Sequence, residues 1–323
     1  MSRDPRALAI ASLLAMLACN EPSLAPGQPP VPPVRDVLFR YPNGSLHLIG
    51  TDGTNNRPVG PAGLPSFTPL AVSLDGRTVA LIVGNQIALA PLEDLSSRRA
   101  IYTQLPPAIG PGAFSDDGRR LAVPCFVPGG GPAVLLYDQD LQRWDTVIVG
   151  SPGFSMGPAF SPDGAQLVGI GETDLGLFVI RVRMSDLYPT TQPLGASRFL
   201  NLPVFGWPRW TQEQGFMFLA RRGLTTPGPD TLAVEAFDPD NAEGGARRLF
   251  TVLQAPDSGG PDLVIGGQST FSLSRDGSQV VLAAFPDTAL RYHGLWAAAK
   301  GGRRVYRVLA DSSQFLQYPH LLN

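Results

Sequence analysis

The sequence is poor in the residues that most often carry chemistry. Its 323 residues include two cysteines and three histidines, and 16% are charged, against about 25% in an average domain. Two cysteines exclude the disulfide framework of a small secreted fold. His47, His293 and His320 stand far apart at no metal-ligand spacing, so no transition-metal motif is present and no metal or cofactor is expected. The net charge is −2, with both signs interspersed. That leaves no basic stripe for nucleic acid and no polybasic membrane patch. Long segments of helical periodicity are missing. The longest apolar stretch, Ala7–Ala18, falls short of the roughly 20 residues that cross a membrane as a helix.

Glycine and proline, by contrast, are abundant, at 36 and 33 residues, beside a 43% hydrophobic share. Such a chain can supply many tight turns between short strands around a large core. The turns also repeat. The cleanest copy is Gly157-Pro158-Ala159-Phe160-Ser161-Pro162-Asp163-Gly164, and relatives stand at Pro69–Gly76, Pro111–Gly118 and Ser272–Gly277. Each contains Ser-x-Asp-Gly and leads into a small apolar run, such as Thr78–Ile82 or Gln279–Ala283. An Asp-Gly between apolar runs is a hairpin signal, because Asp bonds back to its own backbone and Gly accepts positive φ. Asp75, Asp117, Asp163 and Asp276 are separated by 42, 46 and 113 residues. The last gap holds a degenerate copy, Trp207–Gly215 followed by Phe216–Leu219. Four short strands per 40–50 residues is the spacing of a propeller blade.

The Pro-x-Phe-Ser-Pro-Asp-Gly run, full over Ser161–Gly164 and partial in the other copies, resembles the WD40-like PD40 repeat of TolB-type propellers. The resemblance covers residues 36–323. It implies an all-β, six-bladed propeller and a role in binding a partner protein or peptide at one face.

Taken in order, Arg3 and Arg6 precede the apolar stretch, as in a secretory signal over residues 1–18. Met16-Leu17-Ala18-Cys19 looks like a lipobox, which makes Cys19 the expected lipidation site, an ordinary cleaved signal peptide being the alternative. Residues 19–35 are proline-rich and read as an extended tether after the lipidated cysteine. The propeller then spans 36–323. Strands Val37–Tyr41 and Ser45–Ile49 begin a blade that has no lead-in hairpin, and Gln317–Asn323 reads as the missing inner strand. The ring is therefore expected to close by pairing the C-terminal strand with the N-terminal blade. Complete blades are expected over 66–102, 110–149, 156–194, 204–252 and 268–309.

Other motifs carry little chemistry. Gly153-Phe-Ser155-Met-Gly157 matches a nucleophile elbow, but Pro158 and the next hairpin leave no helix to follow it. Ser155 therefore reads as a connector. Asp238–Gly245 has the acidity of a calcium loop without EF-hand spacing, and Gly129–Gly131 lacks the Lys-Ser/Thr of a phosphate loop. Cys125, on an apolar strand, reads as a buried structural thiol.

The geometry of a propeller points to the segments just before each inner strand, which share one channel mouth. Phe67, Met156, Trp207, Gln268 and Tyr318 are the candidate binding rim there, provided the aromatics are exposed together and not packed between blades. No catalytic residue is expected. The reading is a monomeric, exported protein, lipid-anchored to the bacterial envelope. It binds an envelope protein, peptide or small ligand without catalysis. The alternative is an envelope hydrolase or lactonase-type enzyme with a metal or acid–base site at the mouth.

Overall fold

A single serine organises each repeat hairpin. Ser73 Oγ donates to Asp75 Oδ1 (2.6 Å) and accepts from the N–H of Thr78 (2.9 Å), while Asp75 Oδ1 also accepts from Arg77 N–H (3.0 Å). The same three bonds recur at Ser115–Asp117, Ser161–Asp163 and Ser274–Asp276. The glycines that follow, Gly76, Gly118, Gly164 and Gly277, have φ between +65° and +71°, a region that only glycine enters freely. Serine, aspartate and glycine are thus each fixed by the turn. Position x takes no part in these three bonds and is free to vary.

The computed structural model describes residues 32–322, apart from 61–65, 107–108, 196–199, 202–204, 223–230, 255–269, 285–293, 303–304 and 310–315. The first blade contributes β1 (Asp36–Arg40), β2 (Leu46–Gly50) and β3 (Arg57–Pro58). The second holds β4 (Phe67–Val72), β5 (Thr78–Val83), β6 (Gln86–Pro91) and β7 (Arg99–Tyr102). In the third are β8 (Ala113–Phe114), β9 (Arg120–Val127), β10 (Gly131–Asp138) and β11 (Arg143–Ile148). The fourth has β12 (Ala159–Phe160), β13 (Gln166–Thr173), β14 (Gly176–Arg183) and β15 (Tyr188–Pro193).

The fifth region is more complex: β16 (Leu200–Asn201), β17 (Phe205–Trp207), β18 (Arg209–Thr211), β19 (Gly215–Arg222), β20 (Thr231–Phe237) and β21 (Arg247–Gln254). The sixth blade holds β22 (Thr270–Leu273), β23 (Gln279–Ala284), β24 (Gly294–Ala299) and β25 (Tyr306–Leu309), and β26 (Gln317–Leu321) follows. These strands form six sheets that touch around a ring through β4 and β8, β8 and β12, β12 and β18, β19 and β22, β22 and β26, and β26 and β4. The fold is a six-bladed β-propeller.

Each blade is covered on both faces, which is why its strands read as unbroken apolar runs and not as alternating ones. On β5, Val79 and Leu81 pack toward the first blade, whereas Ala80 and Ile82 pack toward the third. On β9, Leu121 and Val123 face the second blade and Ala122 faces the fourth. Five apolar clusters made in this way lie between blades and run all the way round the ring.

Closure follows the expected route. β26 pairs antiparallel with β1, in register Val37↔Leu321, Leu38↔His320 and Arg40↔Gln317, and forms the inner edge of the sheet β26-β1-β2-β3. Arg40 Nη1 also donates to Gln317 Oε1 at 2.7 Å. The pairing removes the open edge that β1 would otherwise present.

Blade five departs from the simple repeat. Its inner edge is split: β16 and β18 both pair with β19, and between them β17 leaves the blade to pair in parallel with β22 of blade six. The sequence expectation placed Trp207 just before the inner strand of blade five, on the candidate rim. The structure gives that strand to Arg209–Thr211 and sends Trp207 across the channel. Gly206 makes this possible, since a Cβ there would stand 1.9 Å from Phe271 Cε1.

Candidate functional site

The β17 segment bridges the channel. Gly206 O accepts from Gly157 N–H at 2.9 Å. Trp207 Nε1–H donates to Leu70 O on β4 at 2.8 Å. The indole lies 4.0 Å from the His320 ring and meets Tyr318 edge-on at 6.2 Å, both on β26. One short segment therefore joins inner strands from the second, sixth and closing blades to the connector before blade four. Burial lowers the His320 pKa to about 3, helped by the charge of Arg209 and opposed by the Pro69 carbonyl that bonds its ring. His320 is therefore neutral, and its Nε2 finds no hydrogen-bond partner among the described residues.

The sequence-derived rim lies near this plug. Phe67, Met156 and Trp207 are interior side chains, exposed by 2%, 0% and 5%. Tyr318 is partly exposed. Gln268 lies outside the described residues, as do Cys19 and His293. Trp207 and Tyr318 come together; Phe67 and Met156 serve separate inter-blade clusters. Ser155 is a connector: its hydroxyl accepts from Glu172 N–H at 2.9 Å. Asp238 caps a 3-10 turn over Pro239–Gly244, and Asp240 of that turn pairs with Arg181 at 3.0 Å across the blade boundary. Cys125 is buried, and desolvation raises its pKa to about 11.

An open site lies at the opposite mouth, where the inner strands end. A funnel of about 370 Å³ is lined by Leu74, Asp116, Pro162, Gln212 and Arg275, together with Arg209, Trp210 and Glu213. Leu74, Asp116, Pro162 and Arg275 are the x residues of four Ser-x-Asp-Gly turns. Gln212 follows Thr211, whose hydroxyl accepts from Gln214 N–H at 3.0 Å in the degenerate turn. Five blades thus bring turn residues of different chemistry to a single point. The rim expected from the sequence lay at the other mouth, yet the signal was present: x varies as Leu, Asp, Pro and Arg between the same Ser and Asp, and Gln212 holds the matching place in the degenerate turn.

The electrostatics of the funnel are mixed. Arg209 sits at the neck, partly buried, with Nε–H directed at Leu273 O at 3.4 Å. Desolvation lowers its pKa, Asp116 opposes the shift, and Arg275 adds to it. Desolvation raises the Asp116 carboxyl above its usual range despite the attraction of Arg275 and Arg209. Asp276 is engaged elsewhere, with Arg35 at 2.9 Å. Among the described residues no three His, Cys, Asp or Glu side chains are grouped to hold a metal ion. The arrangement can grip a ligand through charge, amide and apolar contacts at once.

No protein-family model matches the sequence, and no curated protein sequence matches it either. Solved structures do match in fold. TolB from Acinetobacter baumannii superposes with a TM-score of 0.62 at 14% identity over 89% of this chain, which spans 66% of that one. A chain of a nidogen/laminin complex superposes with a TM-score of 0.57 at 11% identity, over 89% of this chain and 98% of that one. The chain has the fold of a TolB-like six-bladed β-propeller.

Proposed function

We propose that this protein is a non-catalytic recognition propeller of the bacterial envelope that takes part of a protein or peptide partner into the funnel. The observation that carries the reading is the convergence of Leu74, Asp116, Pro162, Gln212 and Arg275. The closed ring brings these turns to one mouth, and the residues chosen there, Leu, Asp, Pro, Gln and Arg, give the shared cavity apolar, amide and charged contacts together. A concave site with a few polar groups among apolar walls is the usual form of a ligand site. The resemblance to TolB-type propellers, which bind partners at one face, supports the same reading. The Arg3–Ala18 segment and Cys19 support export and lipid anchoring, with residues 19–35 as the tether and 36–323 as the binding domain.

Two experiments test this. A photo-cross-linking amino acid at Gln212 should give partner adducts in cells, while the same probe at Leu175, 87% exposed in the β13–β14 turn, should give none. Adducts from neither position, or from both equally, would remove the funnel from the reading. Separately, Cys19→Ser should abolish labelling by a fatty-acid probe and release the protein from membranes. Unchanged labelling would end the lipoprotein assignment.

A further inference from the structure

This inference deepens the recognition reading and depends on it: it concerns the chemical group that the funnel holds. Among the charged side chains of the lining, Arg209 is the least exposed, the others standing open to solvent. A guanidinium offers five N–H donors in a planar fork. Arg209 directs one of them, at 3.4 Å, to the Leu273 carbonyl. Among the described residues no carboxylate oxygen lies within 4.0 Å of it. A positive charge withdrawn from water in this way is costly unless something pairs with it.

The surroundings do not provide that pair. His320, which feels the charge of Arg209, is neutral and packs against Trp207 at 4.0 Å, so neither supplies an anion. Asp276 is bonded to Arg35, Ser274 and Ser278. Asp116 is near enough to be felt and too far for an ion pair. Arg275, on the rim of the same funnel, adds a second positive charge.

We propose that the funnel is a carboxylate-recognition site, in which a ligand carboxylate docks on the Arg209 guanidinium below Arg275. Arg209 supplies the paired donors and Arg275 the field that draws the anion inward. Trp210, Phe114 and Pro162 offer apolar wall to the atoms behind the carboxylate. Asp116 competes for the same arginines and sets a limit on affinity. The carboxylate can be a peptide C-terminus or an Asp or Glu side chain, since both present the same planar pair of oxygens.

The test is a synthetic library of random heptapeptides, half with free C-termini and half amidated, panned against the wild-type protein. We expect enrichment of free C-termini or of an acidic residue at one position; the first marks a terminal carboxylate, the second a side chain. Amidation, or Glu→Gln in the selected peptide, should weaken binding on the order of tenfold or more. Arg209→Gln should lose the same factor, as should Arg275→Gln, which alters an exposed side chain and serves if the first variant melts early. Asp116→Asn should bind the selected peptide more tightly. Enriched peptides indifferent to amidation, Glu→Gln and both arginine variants would overturn the carboxylate proposal and leave the recognition reading standing. A library with no enriched peptide would overturn both.

Discussion

Trp207 Nε1 and Leu70 O, 137 residues apart in sequence, form a 2.8 Å hydrogen bond across the propeller channel. The same carbonyl accepts from Gly112 N–H at 2.9 Å, so one oxygen on β4 holds both the third blade and the plug. That double use separates two roles of Trp207. Trp207→Phe keeps most of the buried ring and loses a hydrogen bond whose acceptor retains another donor, so the expected cost is about 1 kcal/mol. Trp207→Ala leaves a cavity beside β4, β22 and β26 and should cost about 3–5 kcal/mol. Urea denaturation of both variants checks this. Equal losses would mean that the ring does not fill the channel.

Gly206 is a second point of leverage. A methyl group there would have to displace the Phe271 ring, which belongs to the cluster shared by blades four, five and six. Gly206→Ala should therefore lower stability by about 1–3 kcal/mol. Fluorescence of the neighbouring tryptophans should change with it. A neutral outcome would show that β17 does not approach β22 this closely.

The repeat turn makes a prediction about acid. The Ser73 hydroxyl and then the Arg77 amide hold the Asp75 carboxyl below its ordinary value, and Ser161 and then Ala165 do the same for Asp163. A depressed carboxylate stabilises the fold above its unfolded pKa, and that contribution is lost as pH falls through the folded one. Asp163→Asn should narrow the stability difference between pH 6 and pH 3 in urea titrations. If the variant shows the same acid sensitivity as wild type, the turn carboxylates do not contribute to it.

Cys125 offers a test of blade packing. With its pKa raised to about 11 by burial, roughly one thiol in a thousand is ionised at pH 8. In the mature protein lacking a free Cys19 thiol, a thiol reagent should react only after denaturant is added. Rapid reaction of the native protein would indicate that the contact between blades two and three opens readily.

How much of this was legible in the sequence depends on what each residue is fixed by. Ser161, Asp163 and Gly164 are fixed by local bonding, so the hairpin and the repeat could be read from their spacing, while the spacing alone left the blade count between five and seven. Gln317–Leu321 could be read as a lead-in strand without a blade, and closure followed. The path of Phe205–Trp207 could not be read, because it is decided by partners on Leu70, Gly157 and Thr270, far off in the chain. A tryptophan next to a proline looks the same whether it begins its own blade or crosses to another. The funnel was legible only in part. Position x stands out as the one free place in the turn, but that five such places meet at one mouth is a property of the closed ring.

His320 gives the most direct test of the buried channel. Its folded pKa, about 3, lies below the ordinary 6.5 because the ring is buried next to Trp207 and the charge of Arg209. The unfolded chain therefore binds a proton between pH 6.5 and about 3 that the folded protein refuses. The stability that this neutral histidine supports is complete above pH 6.5 and declines as pH falls through that window, by up to about 1.4 kcal/mol per pH unit. His320→Gln keeps a polar side chain of similar length and cannot take up the proton. It should flatten the slope of stability against pH between 6.5 and 4 while changing the acid loss from Asp75 and Asp163 little, since those carboxylates titrate lower. An unchanged slope would show that His320 is reached by water in the folded protein, and the channel would then be open where Trp207 is taken to close it.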